Sequence, residues 1–294
     1  MQKKILITGA NSYIGQSFKK WIDHSNSEEM IIEMISVRDD AWKKMDFGLY
    51  DTIINVAGLA HVSTDPNLKE IYYKVNRDLA INLAEKGKFD GVKQFIFLSS
   101  MIVYGEKNGL KSPNIISQDT PMNPIDFYGD SKLQADVKIQ SLADKEFKTA
   151  VIRTPMVYGP NSTGNFPKLL LMAKRNAIFP KINNKRSMIY IDVLSEFLRQ
   201  CILNDATGVF FPQNEDYVST SDIILNTRML LGKKTYFISA FNFLILFFSR
   251  RARLINRVYG SKVYSRELSK YEFSYNLNLS LKESIQKIIN EEKK

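Results

Sequence analysis

"LITGANSYIGQSF" (residues 6–18) decides the fold. A short apolar run ends in Thr8-Gly9. Gly15 follows six residues later, inside a stretch where Ile14, Phe18 and Trp21/Ile22 recur at helical spacing. A strand, then G-x-x-S-x-x-G, then a helix aims backbone N–H groups and a helix N-terminus at a pyrophosphate. Gly9 permits the tight turn, and Gly15 lets the helix pack closely on the sheet. Asn11, Ser12, Tyr13 and Ile14 complete the expected cradle. Ser12 stands where a third glycine would let the backbone approach most closely, and its hydroxyl is expected to bond a phosphate oxygen. An ordinary glycine turn is the plain alternative. The strand before and the helix after favour the nucleotide.

The same alternation continues outward from this turn. "KKILIT" (3–8), "MIIEMISV" (30–37), "DTIINVA" (51–57), "QFIFLSS" (94–100) and "TAVIRT" (149–154) read as short apolar strands. Helical spacing marks 13–24, 67–86 and about 126–145. Short apolar strands separated by helices call for an α/β fold, a Rossmann-like doubly wound parallel sheet covered on both faces. Its crevice lies at the carboxyl ends of the strands. Only 13 residues, 39–51, separate Arg38 from Thr52. A strand–helix–strand unit does not fit there, so the usual third strand is expected to be shortened or missing. After Thr154 the pattern loosens. Residues 166–175 and 192–203 look helical, and "GVFF" (208–211) looks like a strand. We therefore expect a nucleotide-binding domain over 1–160, with 186–211 returning to it. Residues 161–185 and 212–294 then form a smaller substrate-binding lobe.

The chain of 294 residues holds one cysteine, Cys201, and two histidines, His24 and His61. That excludes an internal disulfide framework and argues against a metal site, and Cys201 reads as a core residue. Chemistry beginning within ten residues of the start leaves no room for a signal peptide, so the expected compartment is cytoplasmic. The formal net charge is +10. From Ile223 to Arg266 there is no Asp or Glu, against Arg228, Lys233, Lys234, Arg250, Arg251, Arg253, Arg257, Lys262 and Arg266. An anionic substrate, a nucleic acid or an anionic membrane would suit such a segment. No recognisable reading motif accompanies the charge, which argues against nucleic acid. "FNFLILFF" (241–248) is far shorter than the about 20 residues a span needs. A surface contact with a membrane suits basic residues beside aromatics, but a lobe helix with its apolar face inward is the favoured reading.

Cofactor choice falls at the end of the second strand, "ISVRDD". An acidic residue there accepts ribose hydroxyls, whereas an arginine accommodates a 2′-phosphate. Ser36 and Arg38 at the tip favour NADP(H). The alternative gives the ribose to Asp39 and leaves NAD(H). In "YGDSK", Tyr128 and Lys132 share one helical face. A tyrosine with a reference pKa of about 10 needs help to exchange protons at neutral pH. A nearby ammonium and an oxidised nicotinamide both favour the phenolate. Tyr128 can then pass a proton to or from a substrate oxygen while hydride moves at the same carbon. Ser100, closing "FIFLSS", is suited to hold that oxygen.

These residues resemble the extended short-chain dehydrogenase/reductases, the NAD-dependent epimerase/dehydratase family that acts on nucleotide sugars. The matching stretches are "TGANSYIG", "NVAG", "LSSMIVYG", "PMNPIDFYGDSK", "RTPMVYGP" and "RSMIYIDV", in family order from residue 8 to 193. The resemblance implies that Ser100, Tyr128 and Lys132 are catalytic. It implies that Ala57, Gly58, Ser99 and Pro155 line the cofactor and that Asn76 braces the site. It gives Asn165 and Arg186 to the nucleotide diphosphate, with a turn Asn and a surface Arg as the plain alternatives. The 4,6-dehydratases of the family carry an acid–base pair after the serine, which Met101 and Ile102 cannot replace. What remains is chemistry at C4. "RTPMVYGP…GNFPKLL" followed by "KINNKRSMIYI" is similar to 4-ketoreductases of bacterial capsule and O-antigen pathways. These reduce UDP-2-acetamido-2,6-dideoxy-4-hexulose to UDP-N-acetylfucosamine or UDP-N-acetylquinovosamine. A UDP-HexNAc 4-epimerase with bound NAD is the second expectation, and a non-catalytic cofactor-binding scaffold the third. Relatives commonly pair through the helices here at 67–86 and 126–145, which implies a homodimer.

Overall fold

The computed structural model describes residues 2–25, 29–60, 65–105, 114–239 and 259–293. Six parallel strands form the main sheet: β1 (Lys3–Thr8), β2 (Met30–Ile35), β3 (Thr52–Asn55), β4 (Gln94–Ser100), β6 (Lys148–Thr154) and β10 (Gly208–Phe210). Their order is β10-β6-β4-β3-β1-β2. Successive side chains of a strand point to opposite faces, so both faces need cover. Ile5 and Ile7 pack towards α1 (Tyr13–His24) and α6 (Ile191–Leu203). Leu6, Ile53, Phe95 and Phe97 pack the other way, on α3 (Leu79–Phe89) and α4 (Phe127–Gln140). This is the Rossmann-like α/β sheet read from the sequence.

The third strand is absent. Two 3-10 turns, Ala41–Lys44 and Phe47–Leu49, join β2 to β3 instead. Trp42 and Phe47 from these turns are buried and stack at 6.3 Å, covering the flank that a crossover helix would otherwise fill. β2 is therefore the sheet edge.

Two helices differ from expectation. The helix read over 67–86 is α2 (Lys69–Tyr72), then a π turn (Tyr73–Asp78), then α3. The helix read to residue 145 ends at Gln140, because Asp144 Oδ1 accepts from the N–H groups of Glu146 and Phe147, both at 2.9 Å, and turns the chain into β6.

Three small parallel pairs stand beside the sheet: β5 (Asn114–Ile116) with β12 (Lys262–Tyr264), β7 (Met156–Tyr158) with β9 (Met188–Tyr190), and β8 (Ile178–Pro180) with β11 (Tyr236–Ile238). α5 (Asn165–Arg175), α7 (Thr220–Leu230) and α8 (Leu281–Glu291) lie beside these pairs in the later part of the chain. β10 pairs with β6 in the main sheet, and β5 pairs with β12 outside it.

The basic run is not one surface. Arg228 is buried and donates to Ala173 O at 2.9 Å, to Lys234 O at 3.0 Å and to Asn176 O, holding together the end of α5 and the start of β11. Arg266 lies 4.0 Å over the Tyr217 ring and donates to Asn214 O at 3.1 Å. Residues 241–248 and Arg250, Arg251, Arg253 and Arg257 lie outside the described residues. Among the described residues, no helix is long and apolar enough to cross a membrane. Cys201 is buried on α6, as expected.

Candidate active site

A cleft of about 1610 Å³ opens at the carboxyl ends of β1, β3, β4 and β6. Its walls include Gly9, Asn11, Ser12, Tyr13, Ile14, Ser36, Arg38, Ala57, Gly58, Ser99, Ser100, Tyr128, Lys132, Pro155, Asn165 and Arg186. Gly15 lies buried behind them.

The two glycines of the opening turn carry different duties. Gly9 has φ +109°, and a Cβ there would lie 3.0 Å from Ala57 N, so both conformation and space require glycine. At Gly15 a Cβ would press on Ile7, Met34 and Val56, each at 3.1 Å, so helix–sheet packing requires it. Ser12 has φ −70° and ψ 133°, ordinary extended backbone that needs no glycine. It is the N-cap of α1, and its Oγ accepts from Gly15 N at 3.4 Å. This refines the expected role. The Ser12 oxygen is already occupied by the helix, and only its O–H is left to point at a ligand.

Ser36, Arg38 and Asp39 lie exposed at the cleft edge beyond β2. Asp39 Oδ1 accepts from Ala41 N at 3.1 Å, and Asp40 pairs with Lys43 at 2.9 Å. Both carboxylates are thus engaged in their own turn.

Tyr128, Lys132 and Asp136 occupy successive turns of α4, whose start Asp126 caps by accepting from Gly129 N at 2.8 Å. Burial pushes the Tyr128 hydroxyl up to about 12, its hydrogen bond with Ser100 opposes the rise, and the Asp126 carboxylate adds to it. The expected lowering by Lys132 is not among the effects on Tyr128. Lys132 Nζ turns inward, donates to Leu98 O at 2.9 Å and lies 4.7 Å from the Phe97 ring centre. Burial lowers its ammonium to about 8, and the Asp136 carboxylate resists the fall. A Cβ on Gly58 would come within 3.3 Å of Nζ, so this glycine permits the lysine's approach.

Behind this face lies a network the sequence did not reveal. Asp136 is fully buried and accepts from Arg153 Nε and Nη2, both at 2.9 Å, and from Ser99 Oγ at 2.7 Å. A buried carboxylate is tolerable only with such paired donors. Ser99 therefore faces this network as well as the cleft. Asn76, fully buried in the π turn, accepts from Leu59 N at 2.8 Å and donates to Ser131 Oγ at 3.4 Å. It ties the loop after β3 to α4, and such insertions in a helix are frequent at functional sites.

On the opposite wall, Asn165 opens α5 after Gly164, whose φ is +94°. Arg186 Nε donates to Gly260 O at 3.1 Å. Lys168, Lys74 and Lys262 also line the cleft. None of these lysines belongs to a sequence pattern of its own. Among the described residues, no group of three or more His, Cys, Asp or Glu could hold a metal ion.

The model of the NAD dependent epimerase/dehydratase family matches residues 5–209. The chain belongs to this family. Within it, the chain is 27% identical over 258 residues to a UDP-glucose 4-epimerase from Vibrio cholerae, covering 80% of this chain and 78% of that one. Its fold is similar to that of UDP-glucuronic acid 4-epimerase from Bacillus cereus in complex with NAD. There the TM-score is 0.71 and the identity 18%, over 98% of this chain and 96% of that one. It is also similar to dTDP-4-dehydrorhamnose reductase from Bacillus anthracis in complex with NADP. That match has a TM-score of 0.69 and 18% identity, over 99% of this chain and all of the other. Proteins with this fold thus include an epimerase in complex with NAD and a reductase in complex with NADP.

Proposed function

We propose that this protein reduces the C4 ketone of a UDP-2-acetamido-2,6-dideoxy-4-hexulose with NADPH, giving UDP-N-acetylfucosamine or UDP-N-acetylquinovosamine. The observation that carries the reading is Tyr128 hydrogen-bonded with Ser100, one helical turn before Lys132, with apolar Met101 and Ile102 next in the chain after Ser100, a set suited to proton and hydride transfer at one carbon and not to removal of water.

The cleft residues fit a dinucleotide. Gly9 leaves a cradle that a Cβ would fill. Gly9, Asn11, Ser12, Tyr13 and Ile14 would hold the pyrophosphate, and Ser36 and Arg38 the adenosine ribose with its 2′-phosphate. Ala57, Gly58, Ser99, Lys132 and Pro155 would flank the nicotinamide half. When bound, the cofactor supplies hydride to the sugar's C4. Ser100 donates to the carbonyl oxygen and fixes its direction. Tyr128 delivers its proton to that oxygen as negative charge develops on it. Lys132, still largely an ammonium at pH 7, keeps positive charge against the wall. Asn165 and Arg186 face the diphosphate from the lobe, where a guanidinium is suited to phosphate oxygens.

The test mixes purified protein, NADPH and the UDP-4-keto-6-deoxy-HexNAc and follows nicotinamide absorbance. NADPH oxidation above the enzyme-free control is expected, and its absence contradicts the reading. The Vibrio cholerae relative favours a second reading, a UDP-HexNAc 4-epimerase with bound NAD. NAD that copurifies, with sugar interconversion needing no added reductant, would establish that alternative.

A further inference from the structure

Lys262 is remote in sequence from every residue given a role above except as a lining side chain, yet it reaches the turn that carries Ser100. Its Nζ donates to Met101 O at 3.0 Å and to Gly105 O at 2.6 Å. These carbonyls begin and close the 3-10 turn Met101–Tyr104. The turn is pinned elsewhere too. Ser100 Oγ accepts from Ile102 N at 3.2 Å, and Gly105 N donates to Ile102 O at 2.9 Å. Gly105 has φ +65°, and a Cβ there would lie 2.1 Å from Asn123 O. A Cβ on Gly129, next to Tyr128, would lie 3.3 Å from Ile102 O. So α4 bears on the turn from one side and the Lys262 ammonium holds it from the other.

The backbone of Lys262 is itself fixed in the lobe. Its N–H donates to Lys185 O at 2.9 Å, and its carbonyl accepts from Ser187 N at 3.1 Å, on either side of Arg186. Two residues on, Tyr264 Oη donates to Arg153 O at 2.9 Å, above the Asp136 pair. One short strand therefore ties the diphosphate wall to the catalytic turn and to the network behind α4.

We propose that Lys262 is a positioning residue for the C4 reaction: it locks the 101–105 turn so that the Ser100 hydroxyl stays aimed at Tyr128 and the sugar oxygen. The proposal rests on the assignment of Ser100 and Tyr128 above. An ammonium makes charge-assisted bonds to both carbonyls at once. An apolar side chain of similar length would remove both bonds and leave the two carbonyls without this charged donor in a partly buried site.

A double-mutant cycle tests it, run on whichever C4 reaction the wild type catalyses. Lys262→Met is expected to lower kcat at least about tenfold, with the Kd for NADPH and the KM for the sugar within about threefold of wild type. Lys262→Arg should recover kcat to within about threefold. In a Ser100→Ala background, Lys262→Met should lower kcat by less than about threefold, because its effect passes through Ser100. Full additivity, an unchanged kcat in Lys262→Met, or a loss seen only in KM overturns the proposal. Should Lys262→Met not fold, Lys262→Gln takes its place in the cycle, and the same outcomes support or overturn the proposal. A wild type without C4 activity counts against the proposed function, and an additive cycle counts against Lys262.

Discussion

Two helices begin at the same cleft and begin differently. α1 is closed by its own Ser12, and the turn before it is set by Gly9 at φ +109°. α5 begins after Gly164 with no side-chain cap, beside a Ser162 hydroxyl that is buried without a partner among the described residues. Lys168, one turn in, faces the cleft. The α1 side is backbone geometry from one contiguous stretch, and it suits a group whose shape never varies. The α5 side is made of side chains from 162–168 and 186, and it suits a group held by polar and charged side chains. In the proposed assignment the cofactor half of the site is therefore set mainly by backbone conformation, and the substrate half by side-chain chemistry.

The sharpest way to break that division is at the seam between the halves. Tyr128→Phe should lower turnover by about 10²–10⁴-fold while NADPH binding, read by fluorescence titration, stays unchanged. Persistent activity would remove Tyr128 from its role. On the conformational side, Gly9→Ala should cost about 1–3 kcal/mol of strain, visible in urea unfolding, and weaken NADPH binding. Normal stability and affinity would show that the turn tolerates a side chain. The alkaline limb of the pH profile should report Lys132. Its charged form is lost as pH rises through about 8, so kcat/KM of the free enzyme should fall above that value. A profile flat to about pH 10 would contradict a need for the ammonium. The smallest effects belong to Ser12. Ser12→Ala should cost about 1 kcal/mol of stability through the lost cap, and Ser12→Gly only a few tenths. A tenfold loss of NADPH affinity in Ser12→Gly would instead assign the hydroxyl to the phosphate.

The division also explains what could be read without coordinates. Parallel strands buried on both faces are continuous apolar runs, so β1, β3, β4 and β6 stood out, and Gly9 and Gly15 fixed the turn between β1 and α1. The missing third strand was legible because 13 residues cannot hold a crossover. The π turn was not, because it depends on where Asn76 finds partners, at Leu59 and Ser131. The Asp136–Arg153 pair was hidden because buried polar residues on α4 break the apolar periodicity by which helices are recognised. Lys262 was hidden among other basic residues, and its bond to Met101 spans 161 positions. No local pattern encodes such a contact.

In the proposed reaction, hydride enters the sugar at C4 from an exchangeable NADPH. Incubating the protein with NADPH deuterated at the transferring position and the UDP-4-keto-6-deoxy-HexNAc, then reading the product by NMR, tests it most directly. The account predicts deuterium on C4 and stoichiometric oxidation of the NADPH. Sugar interconverted at C4 with no deuterium incorporated would contradict it.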